Sequence, residues 1–398
     1  MGKILNRHRD AVRRTGLLLL AAVMMTGLSG CKNKADSKDE WLSYALLDES
    51  ETPEELYEKA LKEDILVVYS VTTRVTQTKD AFEKAYPGLC VEIRDMRSPN
   101  LIEAAVDNYE RGYSDCDVIL CNDNSGDFKE KIVDRKIAYP YIPADIKDKV
   151  KEGTNEGMGS FLNEAEMLFY DGAKYETCPI ENIWELTEER FRGKVYMPNP
   201  LQSFSTYAFC GASFEHADEL SKAYEDYAGE PLSIPEGSNA AEVFWRSLSE
   251  NIVFTNSSDG VVEAIGAGEA EFGILVSSKL RFKGIGYDLE PVYRLDPFCG
   301  CKVTFSVMIA RNSKNVNSAK LFVRFLMGEA DGNGEGYKPF VTDGTWSFRT
   351  DVKDGSEVSM EEMDLLTPDQ DYLIANRKFF GDFWAEIISN ATGNSVEQ

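Results

Sequence analysis

Short apolar runs alternate with amphipathic stretches in the first third of the chain. Strands are predicted at residues 63–70, 89–93 and 117–121, where apolar residues are continuous or alternate. Between them, residues 81–86 and 99–112 carry apolar side chains at helical spacing. This strand, helix, strand order predicts an α/β fold with a doubly wound parallel sheet.

The same pattern restarts after a predicted crossing strand at residues 161–170, so a second α/β lobe is predicted. Its expected helices are 184–191, 240–248 and 259–267, and its expected strands are 194–197, 252–255 and 271–276. A return strand at 303–310, a helix at 317–327 and a tail helix with Phe379, Phe380, Phe383 and Trp384 complete the pattern. The predicted division is residues 54–162 and 303–345 for lobe 1, and residues 163–302 and 346–398 for lobe 2.

Polar side chains follow the predicted strands at their carboxyl ends, where open α/β sheets bind ligands. They are Ser70, Thr72, Asn122, Asp123 and Ser277. No glycine-rich phosphate fingerprint stands at these turns, which disfavours a nucleotide enzyme.

The stretch 197–207, Met-Pro-Asn-Pro-Leu-Gln-Ser-Phe-Ser-Thr-Tyr, is predicted to pass from a strand through a turn into a helix. Its Ser203, Ser205, Thr206 and Tyr207 stand at the start of that helix, where unpaired amides favour an anionic or polar ligand. The alternative is that one hydroxyl simply caps the helix. Facing polar strand ends favour a ligand site over a cap.

The amino terminus is basic and then apolar from Leu17 to Leu28, too short a run to span a bilayer and typical of an export signal over residues 1–30. The ending Leu28-Ser29-Gly30-Cys31 resembles the lipobox of bacterial lipoproteins, in which Cys31 is acylated. The alternative is a buried cysteine in a first helix. Residues 31–53 are polar and acidic and are expected to form a tether.

The formal net charge is −25, which disfavours a nucleic-acid partner because phosphate backbones repel such a chain. Only two histidines are present, and His216 is expected on a helix surface, so no histidine metal site is predicted. The cysteines show no paired spacing; Cys299 and Cys301 allow a strained disulfide or a soft-metal site, but a turn with free thiols is expected. Asp331 to Gly336 resembles the start of a calcium loop, but Thr342 stands where its closing glutamate belongs.

Several blocks together resemble the type II solute-binding proteins of bacterial ABC importers, in the branch that binds ferric iron, thiamine, polyamines, phosphonates or hexose phosphates. The blocks are residues 66–70 with 82–87, residues 184–186 with 191–194, residues 268–274 and residues 318–326. The resemblance implies two lobes joined by a hinge and closing on a ligand, with no enzymatic activity and no cofactor. It implies ligand positions at Ser70, Thr72, Asn122, Asp123, Ser203, Ser205, Thr206 and Ser277.

Ferric-iron binders of this branch carry two adjacent tyrosines where this chain has Ser277-Ser278, which argues against the usual iron site. Hydroxyls and a helix start favour an oxyanion such as a sugar phosphate or phosphonate, assisted by Arg74 or Arg246. A cation such as thiamine or a polyamine, held by Trp245, Tyr207 and Asp123, is the alternative.

The expected partners are the solute and the permease and ATPase subunits of an importer. The protein is expected to act as a monomer, anchored by Cys31 at the outer face of the cytoplasmic membrane. Two alternatives come from other functional classes: a sensory lipoprotein that does not transport its ligand, and an enzyme on the same fold.

Overall fold

The computed structural model describes residues 36–113 and 115–394. Within the described residues, the part up to Leu47 and the part from Asp48 form separate compact units. Within the first unit, α1 spans Asp36–Ala45, inside the stretch predicted to be a tether. The export signal and Cys31 lie outside the described residues. Among the helices of the described ranges, none combines the length and apolar character needed to cross a membrane.

The predicted strands and helices of the first lobe are confirmed. Helix α2 begins with a capping box, in which Thr52 and Glu55 each bond the other's backbone amide. The elements are α2 Pro53–Ala60, β1 Leu66–Ser70, α3 Val75–Ala85, β2 Val91–Asp95, α4 Ser98–Glu110, β3 Val118–Cys121, β4 Ala138–Pro140 and α5 Ala144–Lys147. Strand β1 lies between β2 and β3 and is parallel to both, with Val68 opposite Ile93 and Val118.

Two long antiparallel strands run through the middle of the molecule. They are β5, Ser160–Asp171, and β10, Gly300–Ala310, and their pairing shifts register between Phe305 and Ser306. The end of β10 near Ile309 pairs with β3 of the first lobe, whereas the end of β5 near Leu168 pairs with the second lobe. The main strand order is β2-β1-β3-β10-β5-β8-β6-β7, so one hydrogen-bonded sheet of 12 strands links the two lobes.

The second lobe contains the predicted strands with helices on both sides. Its elements are β6 Val195–Pro198, α6 Phe204–Glu215, α7 Ala217–Ala228, α8 Ala240–Ser249, β7 Ile252–Thr255, α9 Ser258–Gly266, β8 Phe272–Val276 and β9 Leu289–Pro291. The helix predicted over 184–191 is wrong in type, because Ile183–Thr187 and Glu189–Phe191 are two short 3₁₀ turns. His216 lies between α6 and α7, where its Nδ1 is 2.7 Å from Glu219 Oε1.

The carboxyl-terminal part returns to both lobes. It consists of α10 Val316–Leu326, β11 Trp346–Ser347, β12 Leu365–Leu366, α11 Gln370–Ala375 and α12 Arg377–Asn394. Phe380, Phe383 and Trp384 lie in the core of the second lobe, as the tail pattern predicts. Arg349 is fully buried and donates to the carbonyls of Met327 and Glu329, so this part of the tail also contacts the segment after α10.

The seven cysteines of the described ranges are free thiols. Cys301 lies inside β10, so the turn predicted around it is wrong. The described residues contain no group of three or more histidine, cysteine, aspartate or glutamate side chains placed to hold a metal ion. In the loop that resembles a calcium site, Asp331 accepts the amide of Asn333, and Glu335 pairs with Lys338 at 2.5 Å.

Candidate functional site

The loop after β1 is closed by its own hydroxyls. Ser70 is fully buried; its hydroxyl donates to the Thr72 carbonyl at 2.9 Å and accepts the Thr72 amide at 3.1 Å. The half-buried Thr72 hydroxyl accepts Nε of Arg74 at 3.3 Å. These contacts fix the loop and bring the Arg74 side chain towards the central strands.

Arg74 bridges the first lobe and β5. Its Nη2 lies 2.5 Å from Oε1 of Glu164, whose side chain is only 2% exposed. The guanidinium also lies over the rings of Phe305 and Phe340, with 5.4 and 5.0 Å to the ring centres. Its buried Nη1 has no hydrogen-bond partner among the described residues. One donor of a buried arginine is therefore left for a further acceptor.

The loop after β3 is organised by Asp123 and Asn124. One carboxylate oxygen of Asp123 accepts the Ser125 amide and the other accepts the Phe128 amide, each at 2.6 Å. Burial raises the pKa of Asp123 to about 6. Asn124 exchanges hydrogen bonds with the backbone of Thr304 in β10, which ties the loop to the central strands. Both oxygens of Asp123 are thus occupied within its own loop.

Asn122 is half-buried beside these residues, and its carbonyl accepts Asn124 Nδ2 at 3.0 Å. Its side chain is partly exposed, whereas Asp123, Asn124 and Ser125 are buried.

The start of α6, from the second lobe, contacts the same face of β5 as Arg74 does. Asn199 forms the preceding turn, because its carbonyl accepts the amides of Gln202 and Ser203. Ser203 is the N-cap, and its hydroxyl accepts the Thr206 amide at 3.4 Å. Capping and ligand binding are therefore not alternatives at this stretch, since one residue caps the helix while Ser205 remains half-buried beside it.

Glu166, two residues after Glu164 on the same face of β5, contacts this helix start. The Thr206 hydroxyl lies 2.6 Å from its Oε1, and both side chains are fully buried. Oε2 is buried and has no hydrogen-bond partner within the described ranges. Burial raises the pKa of Glu166 to about 7, although hydrogen bonding from Thr206 and Ser205 acts in the opposite direction.

The segment after β8 places two more cations near Arg74 and Glu164, the pair between the two lobes that marks the cleft. Ser277–Ile285 forms a 3₁₀ helix in which Arg281 donates to the Ser278 carbonyl at 2.6 Å and Lys279 lies 2.6 Å from Asp259. Partial desolvation of the Arg281 guanidinium, and then the positive charge of Arg74, lower the pKa of Arg281. The two guanidinium groups are thus close enough to interact.

Ser277 itself is fully buried, and its hydroxyl donates to Gly344 O at 2.6 Å and accepts the Ala165 amide at 2.8 Å. Tyr207 is half-buried, packs edge-on against Phe380, and carries a buried hydroxyl to which the described residues offer no hydrogen bond. Burial raises the pKa of Tyr207 to about 12.

Two residues considered from the sequence do not reach the cleft. Trp245 is fully buried in the core of the second lobe and donates to Ser213. Arg246 lies on the surface between Glu242 and Glu386. Neither can contact a solute held between the lobes.

The two lobes also touch at the edge of the cleft, where the tail contacts the first lobe. Arg377 lies 2.7 Å from Asp127 and 2.9 Å from Glu130. A Cβ on Gly126 would come 2.6 Å from Ile374 Cγ1, so α11 approaches the backbone closely here. Phe204 at the start of α6 packs against the core of the first lobe. The two lobes of this structure are therefore in contact with each other.

A family model described as bacterial extracellular solute-binding protein matches residues 65–331, more than half of the chain. The chain belongs to this family. Solute-binding proteins of this kind are the solute-capturing component of ABC importers, act outside the cytoplasm and are not enzymes, in agreement with the resemblance stated above. No curated protein sequence matches the chain.

Solved structures of similar fold cover 82% of this chain. They include AfuA of Actinobacillus pleuropneumoniae with bound fructose-6-phosphate, at 18% identity, TM-score 0.62 and 98% of that chain. Iron-bound HitA of Pseudomonas aeruginosa has 16% identity, TM-score 0.62 and 99% coverage of that chain. Apo ferric ion-binding protein A of Pasteurella haemolytica has 16% identity, TM-score 0.61 and 98% coverage. At these identities they confirm the two-lobed fold.

Four charged residues at the cleft of this solute-binding protein were not predicted from the sequence. They are Glu164, Glu166, Lys279 and Arg281. A signal for the two glutamates existed, because carboxylates spaced two apart interrupt an otherwise apolar strand. Lys279 and Arg281 carry no such signal, since surface cations after a strand are common.

Proposed function

We propose that this protein captures a small oxyanionic solute, such as a sugar phosphate or a phosphonate, between its two lobes and delivers it to an ABC permease. The observation that carries the proposal is the charge around the cleft. Arg74, Arg281 and Lys279 converge there, against the paired carboxylates of Glu164 and Asp259, in a chain whose net charge is −25. Ionised Glu166 makes the two signs of charge equal, whereas neutral Glu166 leaves one cation in excess, and such an excess in so acidic a protein favours an anionic ligand.

An unpaired donor adds to this argument. The buried Nη1 of Arg74 has no hydrogen-bond partner among the described residues, and guanidinium groups bind phosphate oxygens in a planar, bidentate manner. The fructose-6-phosphate bound to AfuA is in keeping with such a solute.

The cationic alternative is less well supported. Asp123 has both carboxylate oxygens engaged by backbone amides, and Trp245 lies in the core, so two of the three groups expected to hold a cation are not offered to the cleft. Iron is also less well supported, because serines stand at 277 and 278 and the described residues form no cluster of three metal-binding side chains.

Titration calorimetry on the purified domain tests the ligand class. The panel contains fructose 6-phosphate, inorganic phosphate, a phosphonate, thiamine, spermidine and ferric citrate. Binding of at least one phosphorylated compound is expected, with an increase in stability of about 2.7 kcal/mol at 100 times Kd. Binding of a cation or of iron together with no response to any oxyanion would contradict the proposal.

Arg281→Gln is expected to weaken oxyanion binding by about 10- to 100-fold with the fold unchanged. A charge-assisted hydrogen bond contributes about 1.5–3 kcal/mol, and each 1.4 kcal/mol is a tenfold change in Kd. Arg281 suits this test because it is exposed and bonds only the Ser278 carbonyl by a conventional hydrogen bond. The matched control is Arg246→Gln on the surface, for which Kd is expected to stay within about twofold. Equal affinities of the two variants would remove Arg281 from the site.

We also propose that Cys31 is acylated and anchors the protein outside the cytoplasmic membrane. The support is the basic and apolar segment that precedes it in the sequence. Cys31→Ala is expected to move the protein from the membrane fraction to the soluble fraction, as judged by immunoblotting. Cys90→Ala, at an exposed thiol of the folded region, is the control and should leave the protein on the membrane. Retention of the Cys31 variant on the membrane would contradict the anchor.

A further inference from the structure

Four oxygen atoms form a connected series from the interior of the second lobe towards the cleft. Glu166 Oε1 lies 2.6 Å from the Thr206 hydroxyl, which lies 2.9 Å from the Ser203 hydroxyl, which lies 3.3 Å from the Ser205 hydroxyl. Glu166 and Thr206 are fully buried, whereas Ser203 and Ser205 are half-buried. The series therefore links a buried carboxyl group to two partly exposed hydroxyls.

The charge of Glu166 decides which way these hydroxyls donate, because each hydroxyl has only one hydrogen. An ionised carboxylate only accepts, so Thr206 donates to Glu166 and itself accepts from Ser203. Ser205 then donates to Ser203 or, because it also lies within reach of the carboxylate, to Glu166 itself. With Glu166 ionised, all three hydroxyl hydrogens point inward, away from the solute.

A neutral Glu166 allows the opposite direction. The carboxylic acid donates to Thr206, Thr206 donates to Ser203, and Ser203 donates to Ser205. The hydrogen of Ser205 is then free to bond an oxyanion in the cleft. Protonation also removes a negative charge from beneath the first turn of α6, whose amides favour anions.

The surroundings of Glu166 allow both forms near neutral pH. Glu164 on the same strand disfavours a second negative charge, and Lys279 from the segment after β8 favours it. The thiols of Cys210 in α6 and Cys301 in β10 face it, and burial raises the pKa of each well above its usual value, so both are neutral. The unpartnered Oε2 would leave a charge uncompensated, which agrees with the pKa of about 7.

We propose that Glu166 is a positioning residue that takes up one proton when an oxyanion binds, and so reverses the hydroxyl series Thr206, Ser203 and Ser205 towards the solute. This inference rests on the proposed oxyanion function. The proton comes from solvent, binds a carboxylate oxygen of Glu166, and returns to solvent when the solute leaves. Affinity for the oxyanion is therefore higher at low pH.

The test is calorimetry with fructose 6-phosphate between about pH 6 and pH 8.5, each pH in two buffers of different ionisation enthalpy. For the native protein, affinity should fall about tenfold for each pH unit above about 7, because the fraction of competent protein falls by that factor. Buffer dependence of the heat should show close to one proton taken up at the alkaline end. The phosphate of the probe also titrates, so the comparison is always with a variant.

Glu166→Gln is the decisive variant. Its amide NH₂ group donates to Thr206 at any pH, so the outward direction is permanent. We expect this variant to bind the probe at least as tightly as the native protein at pH 6 and about tenfold more tightly at pH 8. The pH dependence of its affinity should reflect only the titration of the probe's phosphate. Identical pH profiles for the native protein and Glu166→Gln would overturn the inference.

A second variant and a control complete the experiment. Ser205→Ala keeps Glu166 but removes the last donor, so it should lose affinity at pH 6 and little at pH 8; equal losses at both values would contradict the inference. Glu386→Gln, at the exposed partner of Arg246, should follow the native profile. Binding of the probe without any proton uptake rejects this inference alone, whereas no binding of any oxyanion rejects the proposed function with it.

Discussion

Arg74→Met is expected to lower the free energy of unfolding by about 3–5 kcal/mol, the largest effect expected of a single change at the cleft. The substitution leaves the carboxylate of Glu164, 2% exposed, without its cation. Removing one member of a buried ion pair is costly because the remaining charge has lost both water and its partner. Contacts with the rings of Phe305 and Phe340 are lost as well.

Urea denaturation followed by circular dichroism measures this effect. The double variant Arg74→Met with Glu164→Gln should recover much of the loss, because a neutral amide is less costly to bury than a carboxylate. The control is Arg246→Met, whose exposed ion pairs should contribute less than about 1 kcal/mol. A loss in Arg74→Met no greater than in the control, or no recovery in the double variant, would contradict a buried pair. Oxyanion binding should stay weak in the double variant, since the guanidinium is still absent.

Trp384→Ala is expected to destabilise the protein by a similar amount, about 3–5 kcal/mol. Trp384 is fully buried and packs edge-on against Trp245 and Phe383, with ring centres 5.3 Å apart in each pair. Its Nε1 has no hydrogen-bond partner in the described part of the chain, so the loss is one of packing. The tail helix is thus part of the core of the second lobe.

Phe379→Ala is the matched control, since that side chain lies on the same helix and is 44% exposed. Its loss is expected to be about 1 kcal/mol or less. Thermal unfolding of the two variants beside the native protein provides the comparison. Similar midpoints for Trp384→Ala and Phe379→Ala would show that α12 contributes little to the core.

The fold was largely predictable because its strands are short apolar runs with clear ends. Residues 63–70 and 271–276 become β1 and β8 with small changes of boundary. Residues 184–191 were misread because their apolar spacing also fits two 3₁₀ turns, and only tertiary packing around Trp184 decides between the two. The local sequence could not predict that one sheet continues through β5 and β10, because this depends on pairing between residues about 140 apart.

The candidate site was predictable in its loops but not in its charges. Polar residues after strands identified the loops of Ser70, Asn122 and Ser203, while the partners of each side chain were set by the fold. The Ser277 hydroxyl, for example, bonds Gly344 and Ala165, both distant in sequence. Arg74 was weighed equally with Arg246 in the sequence because nothing local distinguishes a buried arginine from an exposed one.

Strand β10 imposes an order on the folding of the whole chain. It lies between β3 and β5, yet it is made from residues 300–310, after nearly all other strands of both lobes. Until those residues are available, β3 and β5 each expose an unpaired edge, and neither half of the sheet is complete. The two lobes therefore cannot complete their folding independently, one after the other. Because distant strands pair late, folding should be slow and cooperative.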